Sequence, residues 1–418
     1  MRPAKCLLPV LPLLLATVLA PLPVCAQSGM ASEAWVGSWA SSQQIPEPQN
    51  AMPPDDLREA TVRQIVRLSV GGSTLRVHLS NAFGSRPLRF ASVHIARAVA
   101  PGSSAIVPET DRALTFNGNG EVTVPAGAEF LSDPVDLSVA PLSSLAITFY
   151  LQEPPTGETS HPGSRATSFI VHGNHVSDAE LTGAKTAEHW FQIGEVDVLA
   201  PQGAAAIVAL GDSITDGHAS TTNGNDRWTD VLDERLQASP ETRELGVLNE
   251  GIGGNHLLTD GLGPNALARF NRDVLAPAGV HWVIVFEGVN DLGGLSLRGP
   301  ASPAQHKDLV ERILAAYQQM IERAHAHGLK VIGATITPFV GSDYYHPDAA
   351  IEADREAVNA WIRAPGHFDA VLDFDKVLRD PAHPDRLLPG DDCGDHLHPN
   401  PKGYKALGDA VPLALFTR

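Results

Sequence analysis

The hydrophobic pattern of this chain changes period at about residue 200, and that change limits what the chain can fold into. From Thr61 onward the period is two. Val66, Leu68 and Val70 alternate with Arg67 and Ser69, and Leu75, Val77 and Leu79 alternate with Arg76 and His78. Such alternation puts one face of a strand against a core and leaves the other polar. Gly71-Gly72 between the two runs is a hairpin turn signal. The alternation returns at Val135, Leu137 and Val139 and again at Leu145, Ile147 and Phe149. Short strands so spaced predict an all-β sandwich, jelly-roll-like, over about residues 30–190.

After Pro201 the apolar residues come in short unbroken runs: 204–210, 244–252, 280–288, 329–337 and 369–374. Runs of this length without alternation read as parallel strands buried on both faces. Between them the period becomes helical, with Trp228, Val231, Leu232, Arg235 and Leu236 on one stripe and Val310, Ile313, Leu314, Tyr317, Met320 and Ile321 on another. Strands alternating with helices predict a doubly wound α/β sheet, which binds ligands at the carboxyl ends of its strands. A length of 418 residues exceeds one ordinary domain. Val198–Gly203 is the natural boundary, giving a β-sandwich domain over 27–200 and an α/β domain over 201–418.

Residues 1–26 read as a secretory signal peptide. Arg2 and Lys5 precede an apolar run from Leu7 to Leu22, and Val24-Cys25-Ala26 supplies a cleavage site before Gln27. Acylation at Cys25 is a weaker reading, because Val24 is bulky where a small residue is usual. Cleavage leaves Cys393 as the single cysteine, so an intramolecular disulfide is excluded and the fold must rest on burial. No later apolar run is long enough to span a bilayer. The formal charge of −18 disfavours phosphate backbones and anionic membranes, so nucleic acid is not an expected partner. The sequence names no oligomeric state.

Four segments fall at predicted strand ends. The first strand runs into "GDSITDG", where Ser213 is a candidate nucleophile, although Asp-Ser also caps ordinary turns. It is not the Gly-x-Ser-x-Gly elbow, because Thr215 stands two positions on. The second strand ends in "NEGIGGNHLL", where Gly253-Gly254 can offer free backbone N–H groups to an oxyanion or simply turn the chain. The third ends in "EGVNDLGG", and Asn290 there can donate to an oxyanion without forming an ion pair, or belong to a plain turn. Beyond the fifth, "DDCGDHLHPN" places Asp395 three residues before His398, so that the carboxylate can reach one imidazole nitrogen while the other faces outward as a base. His396 should point elsewhere. The acids, Cys393 and histidines of this loop are potential metal ligands, but their mixed types match no spaced metal signature.

These four blocks, in this order, resemble the SGNH or GDSL-type hydrolase superfamily over about residues 204–415. The resemblance implies a serine esterase with a flavodoxin-like three-layer α/β/α fold that uses no cofactor. It implies a catalytic triad of Ser213, His398 and Asp395, and an oxyanion hole formed by the Ser213 and Gly254 N–H groups and the Asn290 amide, with the adjacent Gly253 as an alternative donor. The openings "AWVGSWASS" and "LRVHLSNAFGSRPL" are similar to the branch with a β-rich N-terminal domain and secreted carbohydrate esterases of the acetylxylan-esterase type. O-acetyl groups on a polysaccharide such as xylan, or a small-molecule ester, are then the expected substrate. A lipase or lysophospholipase is the alternative, and a non-catalytic carbohydrate-binding protein would lack a triad member.

Tyr344, Tyr345 and His346 follow the fourth strand and could stack on a sugar or pack their own loop. Trp228 reads as core, His325 and His327 as complements to a helix C-terminus, and Cys393 as packing.

Overall fold

The computed structural model describes residues 33–417 with the exception of Arg298, so the predicted signal peptide lies outside the described residues. The period-two segments form antiparallel strands in two main sheets. In the seven-stranded sheet Ala60–Arg67 lies between Ser144–Leu151 and Ser168–His172. In the five-stranded sheet Gly72–Ser80 pairs with Ile193–Ala200, Glu129–Leu131 and Val135–Val139. Val62, Val66 and Phe149 from the first sheet and Val77, Leu79 and Val196 from the second meet in one hydrophobic cluster.

Gly71-Gly72 is therefore not the turn of a hairpin, since the strands on either side belong to different sheets. Leu68–Gly71 is a crossover through the interior, with Leu68 and Val70 both buried. Leu68 donates its N–H to Ser143 beside the first sheet, while Ser69 donates to Ser38 in the second at 2.7 Å. Burial of both apolar residues outweighs the local preference of two glycines for a tight turn.

From Ala205 the second pattern takes over. Ala205–Gly211, Leu245–Gly251, Val280–Phe286, Lys330–Ala334 and Ala370–Leu372 form a five-stranded parallel sheet in the chain order second, first, third, fourth, fifth. The order reverses between the first and third strands, where doubly wound sheets bind ligands. Successive residues of the first strand serve opposite faces. Ala205, Ile207 and Ala209 pack with Trp228, Leu232, Tyr404 and Leu407 from the helices Trp228–Ala238 and Pro401–Ala410. Ala206, Val208 and Leu210 pack on the side of Ile313, Tyr317, Met320, Val358 and Ile362 from the helices Pro303–Ala326 and Ala349–Arg363. The result is three layers, α/β/α. Trp228 is fully buried, as expected.

The second cluster is continuous with the core of the β-rich region, for it also holds Val36, Val198 and Ala200. Glu33–Arg418 forms one compact unit. Gly37 donates its N–H to Ala278 at 2.9 Å, and Ser41 makes a parallel bridge with Asn249 of the second strand. Among the described residues no helix is long and apolar enough to cross a membrane.

Candidate active site

Ser213 opens a single helical turn, Ser213–Asp216, directly after the first strand. Asp212 caps it by accepting the Ile214 N–H at 2.9 Å. The sequence pattern reads this stretch as loop because four residues are too few to show a helical period. Ser213 Oγ donates to His398 Nε2 at 2.8 Å, and His398 Nδ1 donates to Asp395 Oδ2 at 2.6 Å. The second Asp395 oxygen accepts the backbone N–H groups of Leu397 and His398 at 3.0 and 2.9 Å. Burial alone would raise the Asp395 pKa, but the His398 hydrogen bond and these backbone donors outweigh it and hold the carboxyl well below the usual carboxylate range. His396 turns away and bonds Asp392 Oδ2 at 2.7 Å.

The glycine pair after the second strand is divided between two tasks. Gly253 donates its N–H to Asp216 Oδ2 at 3.1 Å. Gly254 takes a φ of +68°, a conformation strained for residues with a side chain, and among the described residues its N–H is bonded to no acceptor. The N–H of Gly254 is thus the one left for a ligand.

Asn290 stands in the turn Val289–Gly294 after the third strand and is almost fully buried. Its Nδ2 donates to the Asn255 carbonyl at 2.6 Å, and its Oδ1 accepts from the Tyr345 hydroxyl at 2.6 Å. These opposite partners fix which end of the amide is nitrogen, and they use only one of its two N–H groups. Burial, then the nearby Asp212 and Asp291, raises the Tyr345 hydroxyl above its ordinary pKa, so it stays a donor. Asp291 joins the third-strand loop to the second by accepting the N–H groups of Leu257 and Leu258 at 2.7 and 3.1 Å.

Beneath these loops lies Arg269, fully buried. It donates to Gly211 O at 2.9 Å, Glu250 O at 2.6 Å and Asn255 Oδ1 at 3.0 Å. One guanidinium therefore holds the ends of the first two strands and the residue that carries Asn290. Asp273 is its ion-pair partner at 3.0 Å, and Glu287 lies 3.5 Å away. Glu287 is driven well above the ordinary range by burial and by Asp212, and Asp212 itself is raised to about 7, chiefly by burial.

His218 packs on His398 with ring centroids 4.1 Å apart. Burial, then the neighbouring His398 and Arg165, lowers it to about 4, so it is neutral at physiological pH. Arg165 donates to His218 Nδ1 at 3.2 Å, which puts the remaining proton on Nε2, 4.0 Å from Asp395 Oδ2. His218, Asp395 and His398 bring ligand-type atoms within 4.8 Å of one another. Two N–H protons already face the Asp395 carboxylate, so the donor set fits a proton relay better than a cation. Burial pushes the Cys393 thiol up to about 11, which keeps it protonated and a poor nucleophile.

A serine, an imidazole and a carboxylate in file can carry out acyl transfer. Residues 209–406 match the model of the GDSL-like lipase/acylhydrolase family. This stretch is a GDSL-like acylhydrolase domain. The acylhydrolase assignment makes the chain a carboxylic ester hydrolase. Similar solved structures include a lipolytic-type protein of the G-D-S-L family from Desulfitobacterium hafniense, 25% identical over 49% of this chain and 97% of its own, with a TM-score of 0.37. An acetyl xylan esterase from Geobacillus stearothermophilus is 21% identical over 50% of this chain and 93% of its own, with a TM-score of 0.37. A GDSL-like lipase from Bacteroides thetaiotaomicron is 19% identical over 50% and 87%, with a TM-score of 0.36. Comparison with curated proteins found no match.

Of the residues singled out by the sequence, Ser213, His398 and Asp395 are joined by hydrogen bonds, Gly253 is bonded to Asp216 of the Ser213 turn, Gly254 keeps its N–H free, and Asn290 is held by Asn255 and Tyr345. Sequence reasoning missed Arg269, Asp216 and His218, and it left Tyr345 between stacking and packing. The bond from Tyr345 to Asn290 answers that question. Tyr344 is more than half exposed and stands edge-on to His398, with centroids 6.2 Å apart at 90°.

Proposed function

We propose that the chain is a secreted serine esterase that removes O-acetyl groups from carbohydrate. His398 takes the proton of Ser213, whose oxygen attacks the ester carbonyl carbon. The Ser213 and Gly254 N–H groups and the second Asn290 amide N–H hold the oxyanion. The ester C–O bond then breaks and the leaving alcohol takes the proton from His398. Water, activated by the same imidazole, releases acetate and frees Ser213. Asp395 holds the imidazole in the required tautomer, and the chemistry calls for no cofactor. The observation that carries the reading is the unbroken file Ser213 Oγ, His398, Asp395 at 2.8 and 2.6 Å.

The exposed ring of Tyr344 beside His398 supports a sugar substrate, since it offers a flat apolar face next to the base. A second reading has its own support. An open cavity of about 360 Å³ beside Asn290 has Leu258, Leu295, Leu297 and Leu309 in its wall together with His256, Asp291 and Arg312, and its leucines could take a longer acyl chain. Acetate released from acetylated xylan by the wild type and by Ser213→Ala tests the first reading. Rates on p-nitrophenyl esters from acetyl to lauroyl separate the two: preference for lauroyl rejects deacetylation of glycan, and full activity of Ser213→Ala rejects the mechanism.

A further inference from the structure

A short segment of the β-rich region reaches the turn that carries Ser213. His161, buried, bonds Asp216 Oδ1 through Nε2 at 2.9 Å and the Ser42 carbonyl through Nδ1 at 2.8 Å. The other Asp216 oxygen accepts the Gly253 N–H at 3.1 Å. Gly163 permits this closeness, because a Cβ there would fall 1.9 Å from Asp216 Oδ2. The segment is held twice more: Arg227 donates to the Ser164 and Asp216 carbonyls, and Arg165 donates to His218.

Asp216 thus spends one oxygen on the β-rich region and the other on the glycine loop. Only a carboxylate can do both, since an amide in its place has one acceptor end and one donor end. With Gly253 engaged, the next peptide is turned so that Gly254 keeps its N–H free at φ +68°.

We propose that His161 is a positioning residue for ester hydrolysis: by holding Asp216 against the Gly253 N–H, it fixes the loop that presents the Gly254 N–H to the oxyanion. The β-rich region is then a working part of the catalytic site. This role presupposes the serine-esterase reading with Gly254 as a donor.

The test compares full-length wild type with His161→Leu, His161→Gln, Asp216→Asn and Ser213→Ala on p-nitrophenyl acetate. A displaced oxyanion donor acts on the transition state, so His161→Leu should lower kcat by roughly 10- to 100-fold with KM little changed, below the ~10²–10³ for outright loss of a donor. His161→Gln, which can place an amide N–H near the position of Nε2, should recover most of that loss. Asp216→Asn conserves volume yet satisfies only one of its two donors, and should also lose at least about tenfold in kcat. A merely structural role would not give a loss confined to kcat and relieved by glutamine. Wild-type kcat in folded His161→Leu overturns the proposal. If His161→Leu does not fold, wild-type kcat in Asp216→Asn overturns it equally. Full activity in Ser213→Ala instead overturns the esterase reading on which it stands.

Discussion

Removing the Tyr345 hydroxyl tests how the amide of Asn290 is aimed. In Tyr345→Phe the Asn290 Oδ1 loses its 2.6 Å donor in a buried setting, while Nδ2 keeps its 2.6 Å bond to the Asn255 carbonyl. The amide cannot flip to compensate, because that would set Oδ1 against another acceptor. The expected effect is therefore the loss of one neutral hydrogen bond, about 1–2 kcal/mol. If that loss falls on the transition state, kcat drops about 5- to 30-fold. Asn290→Ala removes the donor itself and should cost on the order of 10²–10³ in kcat. The two effects share one group, so they should not add: Tyr345→Phe in the Asn290→Ala background should change kcat by less than about twofold. Steady-state kcat and KM on p-nitrophenyl acetate for the four proteins of the cycle decide the matter. Equal losses from Tyr345→Phe in both backgrounds would refute the reasoning, since the tyrosine would then act elsewhere.

Arg269→Met removes a buried cation that faces Asp273 and Glu287, and should destabilise the fold by about 3–5 kcal/mol in urea unfolding; a loss under about 1 kcal/mol would contradict the anchoring role. Tyr344→Ala should raise KM for acetylated xylan by about 3- to 10-fold, the scale of an aromatic contact near 1 kcal/mol, and leave ethyl acetate hydrolysis unchanged. An equal effect on both esters would show that Tyr344 does not read the sugar. Burial raises the Asp212 pKa from its ordinary 3.8 to about 7 in the folded chain, so it favours folding fully below the lower value and that contribution fades as pH rises through 7. Asp212→Asn should flatten this fall in thermal stability between about pH 4 and 7 while keeping the cap on Ile214; an unchanged slope would assign the fall to other groups.

The architecture was legible because burial on two faces writes itself into unbroken apolar runs. All five parallel strands and the helices behind Trp228 and Ile313 lie where those runs and stripes put them. Asp395 and His398 were legible because three residues in one loop suffice to bring them together. Tyr345 and His161 carried no such signal. Each stands 55 residues from its partner, Asn290 and Asp216 respectively, and a loop aromatic or a lone histidine looks the same whether it aims a catalytic group or not. Arg269 was hidden for another reason. In "ALARFNRDVL" nothing marks it as buried, and the backbone carbonyls of two strands, with Asn255 and Asp273, make its burial tolerable. At Gly71-Gly72 local chemistry pointed to a turn, while the buried side chains of Leu68 and Val70 decided for a crossover.

Among the described residues, the second strand of the parallel sheet, Leu245–Gly251, has a sheet neighbour on one side alone. On its open side Ser41 bridges Asn249, and Gly37 lies so close that a Cβ there would meet Leu248 at 2.8 Å. An uncovered strand of this kind is a template for pairing with other chains. The N-terminal strand Ala34–Ala40 thus also serves as a guard against self-association, and a hydrolase half expressed without it should be lost to aggregation before its chemistry could be measured.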